Sequence, residues 1–107
     1  MPQVRLSITQ TEDGRYQLDV SGEDFQQAEG QEVDVRLKGN DIISDDRLSV
    51  FFPTTHVKEG GFGVSTLVKR KTLDEDSGED EIYATVHVAS LGNFKSNTVR
   101  PPTATSL

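Results

Sequence analysis

The sequence has 107 residues, which is enough for one domain with a single core but too few to add a deep active-site cleft. It has no cysteine, which excludes disulfide bonds, and no run near the roughly 20 apolar residues that cross a bilayer, so we expect no membrane insertion. The net charge of −7, with no cluster of Lys, Arg and interleaved aromatic residues, argues against nucleic acid as a partner.

Apolar and polar residues alternate in three runs within the first forty positions, and each run predicts a strand with one buried face. The turn signal Glu12-Asp13-Gly14 lies between the first two runs and predicts that they form a hairpin. The polar segment before the third run predicts a loop, in which Phe25 is the one large apolar residue. The predicted strands are residues 4–9, 16–21 and 32–38, and the predicted loop is residues 22–30.

The centre of the chain has weaker signals. Gly39-Asn40-Asp41 ends the third run, and Ile42-Ile43 predicts either a short edge strand or a loop plug. Residues 48–52 alternate again and predict a fourth strand, which Pro53 ends or confines to a sheet edge. A loop around the string EGGFG is expected to follow, over residues 54–63.

Two strongly β-forming runs follow, at residues 64–73 and 82–89. The string DEDSGEDE lies between them; this acidic turn begins at Asp74 and ends at Glu81. It predicts a hairpin, across which the basic run Lys69-Arg70-Lys71 would pair with Glu79, Asp80 and Glu81. Gly92-Asn93 predicts a further tight turn into a last strand at residues 94–99, and Pro101-Pro102 ends the fold.

About seven short strands at regular spacing predict an all-β, immunoglobulin-like sandwich of antiparallel strands in two sheets, with an open barrel as the alternative. The apolar fraction of 33% suits a thin structure with two wet outer faces. It also suits disorder, but a disordered chain has no reason to keep a period of two. We predict one domain at residues 1–102, with residues 103–107 as a C-terminal tail or linker. Its predicted core includes Leu18, Val20, Val35, Leu37, Val50, Val86 and Val88.

Two fragments carry a family resemblance. In the first, LDVSGEDF at residues 18–25 is followed by VDVRLKG at residues 33–39; the second is VHVASLGNFKSNTV at residues 86–99. They resemble an internal strand pair and the closing hairpin of the immunoglobulin-like modules of the IPT/TIG group. The resemblance implies a non-catalytic module, often part of a larger surface or secreted protein, and with it an extracellular or cell-surface location. The first ten residues lack the apolar segment of a signal peptide.

The same resemblance implies roles for single residues. Gly22 and Phe25 would shape and plug a loop, Gly92 would make a turn, and Ser96 and Asn97 would lead into the last strand. Fibronectin type III modules are also similar at IYATVHVA, residues 82–89. In those modules the Tyr shares parity with the inward Val residues, whereas Tyr83 has the opposite parity and the chain has no Trp.

The acidic turn is the strongest candidate for chemistry, because carboxylate oxygens around a Gly are Ca²⁺ ligands. Its spacing is not that of an EF-hand, since Gly78 is displaced and no bidentate Glu follows at the required distance. A solvated charged loop is the favoured interpretation. A second polar group, Asn40, Asp41, Asp45 and Asp46, could supply oxygen ligands too, but turn chemistry accounts for it.

Two further motifs have ordinary explanations. KEGGFG, residues 58–63, invites comparison with a phosphate-binding loop, but a β-forming run follows it in place of a helix. We expect a flexible loop anchored by Phe62. His56 and His87 are the two histidines, and no nucleophile motif accompanies them, so we expect both at the surface.

The sequence therefore predicts no catalytic residues, no cofactor and no metal ligand, and favours a non-enzymatic binding or spacer module. A protein or glycan partner would be recognised by loops at one end of the sandwich or by strand addition at an exposed edge. The alternative is a calcium-dependent binding module that uses the acidic turn.

Overall fold

A computed structural model describes residues 1–39, 46–69 and 81–100, with the backbone alone for residues 46–49. Regular structure in these ranges is β-strand, apart from one turn of 3-10 helix, η1 (Gln26–Ala28). The strands are β1 (Gln3–Gln10), β2 (Arg15–Glu23), β3 (Glu32–Gly39), β4 (Asp46–Phe51), β5 (Thr55–His56), β6 (Phe62–Lys69), β7 (Ile82–Val88) and β8 (Gly92–Lys95).

The strands form two antiparallel sheets. The smaller sheet has the order β1-β2-β6, and the larger has the order β4-β3-β7-β8, with β5 paired to one end of β3. The inner faces of both sheets contribute to one hydrophobic core. The predicted all-β class and the predicted division into two antiparallel sheets are confirmed.

Strand alternation places the core. In β2, Tyr16, Leu18 and Val20 are each at most 1% exposed, while the residues between them are polar. The seven residues predicted for the core are all buried, and Val35 is the most exposed of them at 8%. Burial of a Val or Leu side chain contributes about 1.5–3 kcal/mol, so this period-two pattern is the main force that fixes which face of each strand points inward.

Phe25 follows β2 and packs into the core, while Gly22, predicted in the loop at residues 22–30, lies within β2. The Phe25 ring is fully buried and packs edge-to-face on Phe62, with centroids 5.4 Å apart, and on Phe94, with centroids 5.2 Å apart. The backbone N–H of Phe25 donates to the Gly60 carbonyl at 2.9 Å. Gly22 lies under the Phe62 ring, where a Cβ atom would meet the ring's Cζ at 2.6 Å. A glycine is therefore required at this position by packing.

The predicted hairpin between residues 64–73 and 82–89 is wrong. β6 pairs with β2 in the smaller sheet, whereas β7 lies between β3 and β8 in the larger one. Lys69 therefore lies opposite Arg15 and not opposite a carboxylate. Glu81 Oε1 lies 4.0 Å from Nη2 of Arg100. Turn composition and charge suggest that neighbouring strands pair, but the free edge of β2 is an equally good partner for an apolar strand.

Smaller differences concern strand ends. The turn after β7 runs from Ala89 to Leu91, and Gly92, with φ of +92°, begins β8. The last strand is accordingly shorter than the predicted residues 94–99, although Val99 makes an isolated bridge to Ile82. The two-residue strand β5 was not predicted, and the predictions for Ile42-Ile43 and for residues 103–107 lie outside the described residues.

Two polar side chains after β8 close one side of the sandwich. Ser96 is 6% exposed, and its Oγ accepts the N–H of Ala84 at 2.8 Å. Asn97 pairs with β1: its Oδ1 accepts the N–H of Leu6 at 2.9 Å and its Nδ2 donates to the Leu6 carbonyl at 3.1 Å. The amide of Asn97 thus takes the place of a strand's peptide group on β1 and links the smaller sheet to the end of the larger one.

Candidate functional site

The outer face of the larger sheet collects polar and aromatic side chains in register. They belong to the residues of β3, β7 and β8 that alternate with core residues, so they share the solvent side of the sheet. One row across the sheet is Arg36, Thr85 and Lys95, the next is Asp34, His87 and Asn93, and Lys38 lies opposite Tyr83. We call this surface the outer face.

Contacts within the outer face hold its side chains in place. Arg36 Nε donates to Asp34 Oδ2 at 3.1 Å. His87 Nδ1 and Asn93 Oδ1 are 2.7 Å apart, which is a hydrogen-bond distance. Lys95 Nζ lies 4.2 Å from the centroid of the Tyr83 ring, in the geometry of a cation–π contact. A surface whose side chains are already ordered loses less conformational entropy when a partner binds.

The charge on the outer face differs from that of the whole chain. The outer face has three cationic residues and two carboxylates, whereas the whole chain has a net charge of −7. The cations are Arg36, Lys38 and Lys95, and the carboxylates belong to Glu32 and Asp34. The surface includes a shallow depression of about 370 Å³ lined by Asp34, Arg36, Lys38, Thr85, His87 and Asn93. Such a mixed, locally cationic surface complements a partner that carries carboxylates.

Two aromatic residues belong to this side of the larger sheet, one exposed and one buried. Phe51 of β4 lies opposite Arg36 and is 71% exposed, which makes it one of three exposed large hydrophobic residues in the described part of the chain. Tyr83 has the outward parity expected from the sequence and does not belong to the core cluster, yet it is only 4% exposed. An exposed aromatic beside an Arg is typical of protein-binding surfaces, where Trp, Tyr, Phe and Arg are enriched.

A second concavity runs between β1 and the end of β8. This cleft has a volume of about 450 Å³, and its lining includes Pro2, Gln3, Val4, Phe94, Lys95 and Asn97. It lies beside the hydrogen bonds of Asn97 to Leu6, which occupy part of the β1 edge. Strand addition at an exposed edge was one of the two binding modes considered from the sequence. At the β1 edge, an added strand would have to displace the Asn97 side chain.

The residues that the calcium alternative would use as ligands lie mostly outside the described residues. The acidic turn is represented by Glu81 alone, near Arg100, and the second polar group by Asp46 at the start of β4. In the described ranges no group of three or more His, Cys, Asp or Glu residues is placed to hold a metal ion. The alternative of a calcium site therefore stays a prediction from the sequence.

The string KEGGFG, predicted as a loop anchored by Phe62, forms a hydrogen-bonded tight turn that leads into β6, and the Phe62 ring packs on Phe25. Lys58 and Gly61 exchange two backbone hydrogen bonds, and the residues between them, Glu59 and Gly60, have φ of +54° and +77°. Two positive φ values in a two-residue loop define a type I′ turn. The carboxylate of Glu29 accepts the N–H groups of Glu59 at 2.8 Å and Gly60 at 2.9 Å. The N–H groups of Glu59 and Gly60 are therefore already hydrogen-bonded within the chain and are not available to a phosphate.

The two histidines are exposed, as predicted: His87 on the outer face and His56 in β5. The sequence did not single out the outer face as a site, because its residues come from strands whose pairing was not known. The signal that could have found it is the outward parity of Arg36, Lys38 and His87, once β3 and β7 are placed side by side.

Among residues 1–39, 46–69 and 81–100, the structure contains no helix that could span a bilayer.

Comparison with protein families, curated proteins and solved structures finds no match to this chain. The strands define the class of the fold, which is an all-β domain of two antiparallel sheets.

Proposed function

We propose that this chain is an immunoglobulin-like, non-catalytic binding module of a larger surface or secreted protein. The strand order supports the class. β1, β2 and β6 lie in one sheet and β3, β7 and β8 in the other, the same distribution as strands A, B, E and C, F, G of immunoglobulin domains, with β4 added beside β3. The two fragments similar to IPT/TIG modules fall on β2–β3 and on β7–β8.

The outer face is the surface we assign to binding. The observation that carries this assignment is the local excess of cations, Arg36, Lys38 and Lys95, beside the exposed Phe51 on an acidic chain. The partner that fits is a protein with an acidic segment: carboxylates would pair with the cations, and an apolar side chain would cover Phe51. A uronic-acid glycan offers the same carboxylates without the apolar contact.

The test uses amide chemical shifts, with a hexaglutamate peptide carrying one Leu as the probe. We expect the peptide to change the amide chemical shifts of residues in β3, β7 and β8. We expect no such change in the double variant Arg36→Glu, Lys38→Glu. The matched control is Arg5→Glu, which reverses an exposed charge on the smaller sheet. Shifts that map to the smaller sheet, or that survive the double variant, would refute the assignment. A uronic-acid oligosaccharide that shifts the same residues more strongly would move the partner from protein to glycan.

A calcium titration separates this proposal from the calcium-dependent alternative. A ligand that binds the native state raises the thermal midpoint, so a calcium module must melt later in calcium than in a chelator. We expect equal midpoints, because the spacing of the acidic turn does not match a known calcium loop. A rise that saturates with calcium, and is absent with magnesium, would establish the alternative.

A further inference from the structure

Among the described strands, the smaller sheet ends at β6 on one side. Leu6 directs its N–H and carbonyl to Asn97 and hence away from β2, so by alternation the odd-numbered residues of β1 bond to β2. The odd-numbered residues of β2 therefore bond to β1, and its even-numbered residues bond to the even-numbered residues of β6. The odd-numbered residues of β6, Gly63, Ser65 and Leu67, direct their N–H and carbonyl groups away from β2. Gly61 agrees, because it bonds to Lys58 and not to β2.

In the part of the chain that the structure describes, the β6 edge has few of the features that prevent strand pairing, since its charged residue, Lys69, is at its end. Within the described residues, β2 is the one strand that pairs with β6. From Phe62 to Val68 the strand has no charged residue and no proline, and Leu67 on its solvent side is 49% exposed. The opposite edge, β1, carries the charge of Arg5 and is capped by Asn97. Natural sheets protect edges with charges, prolines or covering groups, so the uncharged stretch from Phe62 to Val68 points to a partner strand.

The β6 edge is complementary to itself. In an antiparallel pair with its two-fold axis at Ser65, Leu67 of each copy lies opposite Gly63 of the other, and Ser65 lies opposite Ser65. A Cβ atom on Gly63 would meet no atom within 4 Å, so there is open space for the Leu67 side chain. On the inner side, Val64 would lie opposite Thr66, and both are half-buried. All outward N–H and carbonyl groups of residues 63, 65 and 67 find partners in this register.

We propose that the chain self-associates through antiparallel pairing of β6 from two copies, which joins two three-stranded sheets into one six-stranded sheet. A second copy is the occupant because its edge supplies the matching register and the matching small and large side chains, and because Lys69, the charged residue of β6, lies opposite Gly61 at the end of the paired segment. This contact is on the smaller sheet and is independent of the outer face. Each copy carries a net charge of −7, so the copies repel at long range and added salt should strengthen their association.

The test is the concentration dependence of the sedimentation coefficient, with proline placed on the edge. Ser65→Pro removes an outward N–H while leaving the bonds of β6 to β2, which come from even-numbered residues. Ser65→Ala is the matched control, because it also loses the hydrogen bond from Ser65 Oγ to Asp19 but keeps the N–H. We expect the wild type and Ser65→Ala to form dimers as concentration rises, more readily in added salt, and Ser65→Pro to stay monomeric.

A second pair of variants covers the case in which Ser65→Pro does not fold. Leu67→Lys puts a charge at the contact, and Ser7→Lys puts the same charge on the exposed side of β1, at the far edge of the same sheet. We expect loss of dimer in the first and no loss in the second. A wild type that stays monomeric up to millimolar concentration, or a Leu67→Lys variant that still dimerises, would overturn the proposal.

Discussion

At the scale of single residues, the contact between Gly22 and Phe62 shows how one missing side chain shapes the packing. The Phe62 ring occupies the space above Gly22 that a Cβ atom would fill, and from there it reaches Phe25 at one end of the core. The sequence predicted by resemblance that Gly22 and Phe25 shape and plug a loop; Phe25 is buried just after β2, whereas Gly22 lies within β2. It predicted Phe62 as the anchor of a loop but could not predict the contact of Phe62 with Gly22, because the pairing of β2 with β6 brings the two positions together.

We expect Gly22→Ala to destabilise the fold by about 1–3 kcal/mol, because the new methyl group must displace an aromatic ring in a packed core. Gly63→Ala is the matched control: it adds a methyl group to the neighbouring strand, where nothing lies within 4 Å. Its effect should stay within about 0.5 kcal/mol. Urea unfolding at low protein concentration measures both. Equal effects of the two substitutions would show that Gly22 is not constrained by packing.

At the scale of elements, the first hairpin was predicted well and its turn is organised by charge. The turn from Thr11 to Arg15 is closed by the N–H of Thr11 bonding to the Arg15 carbonyl at 2.7 Å. Asp13 accepts a hydrogen bond from Arg15 Nε at 2.8 Å and another from the hydroxyl of Thr11. These hydrogen bonds, from Arg15 first and Thr11 second, lower the pKa of Asp13 to about 2.

The lowered pKa predicts the sign of a pH effect. A carboxyl whose pKa is lower in the folded state stabilises the fold above its unfolded pKa of about 3.9, and that contribution is lost as pH falls towards about 2. We expect Asp13→Asn to melt slightly earlier than the parent at neutral pH, with the difference disappearing between those two pH values. The effect should be small and should shrink in salt, because the turn is exposed.

Glu12→Gln is the matched control, since it removes the neighbouring negative charge. Its difference from the parent at neutral pH measures the effect of losing one negative charge in this turn. If Asp13→Asn and the parent differ equally at pH 2 and pH 7, the contacts of Asp13 with Arg15 and Thr11 do not stabilise the turn.

Strand positions were largely predictable, whereas strand partners were not. Alternation located β1, β2, β3 and β7 to within a few residues, because burial acts on each strand separately. The pairing of β6 with β2 depends on contacts between segments about fifty residues apart, and no local signal encodes it. The outer face could not be predicted for the same reason, because its rows of side chains run across β3, β7 and β8.

At the scale of the whole molecule, the two sheets are joined by a side chain as well as by the core. Asn97 satisfies both backbone groups of Leu6, although 91 positions separate the two residues. We expect Asn97→Ala to lower the free energy of unfolding by about 1–3 kcal/mol, because two hydrogen bonds are lost and a part-buried N–H is left without its acceptor. Thermal or urea unfolding measures the change.

The control for this substitution is Thr98→Ala, which truncates the exposed neighbour. It should leave stability within about 0.5 kcal/mol of the parent. Amide exchange at Leu6 gives a local readout, since it should become faster in Asn97→Ala and stay unchanged in Thr98→Ala. An unchanged exchange rate at Leu6 in Asn97→Ala would mean that the side-chain amide does not protect the edge of β1.

The long separation of Leu6 from Asn97 also orders events during synthesis. The first strand leaves the ribosome early, and its partner β2 follows directly, but the cap on its outer edge is encoded near the other end of the domain. At about 5–20 residues per second, the edge of β1 waits roughly 5–20 s for Asn97 to emerge. During that interval, pairing with a strand of a neighbouring nascent chain competes with folding.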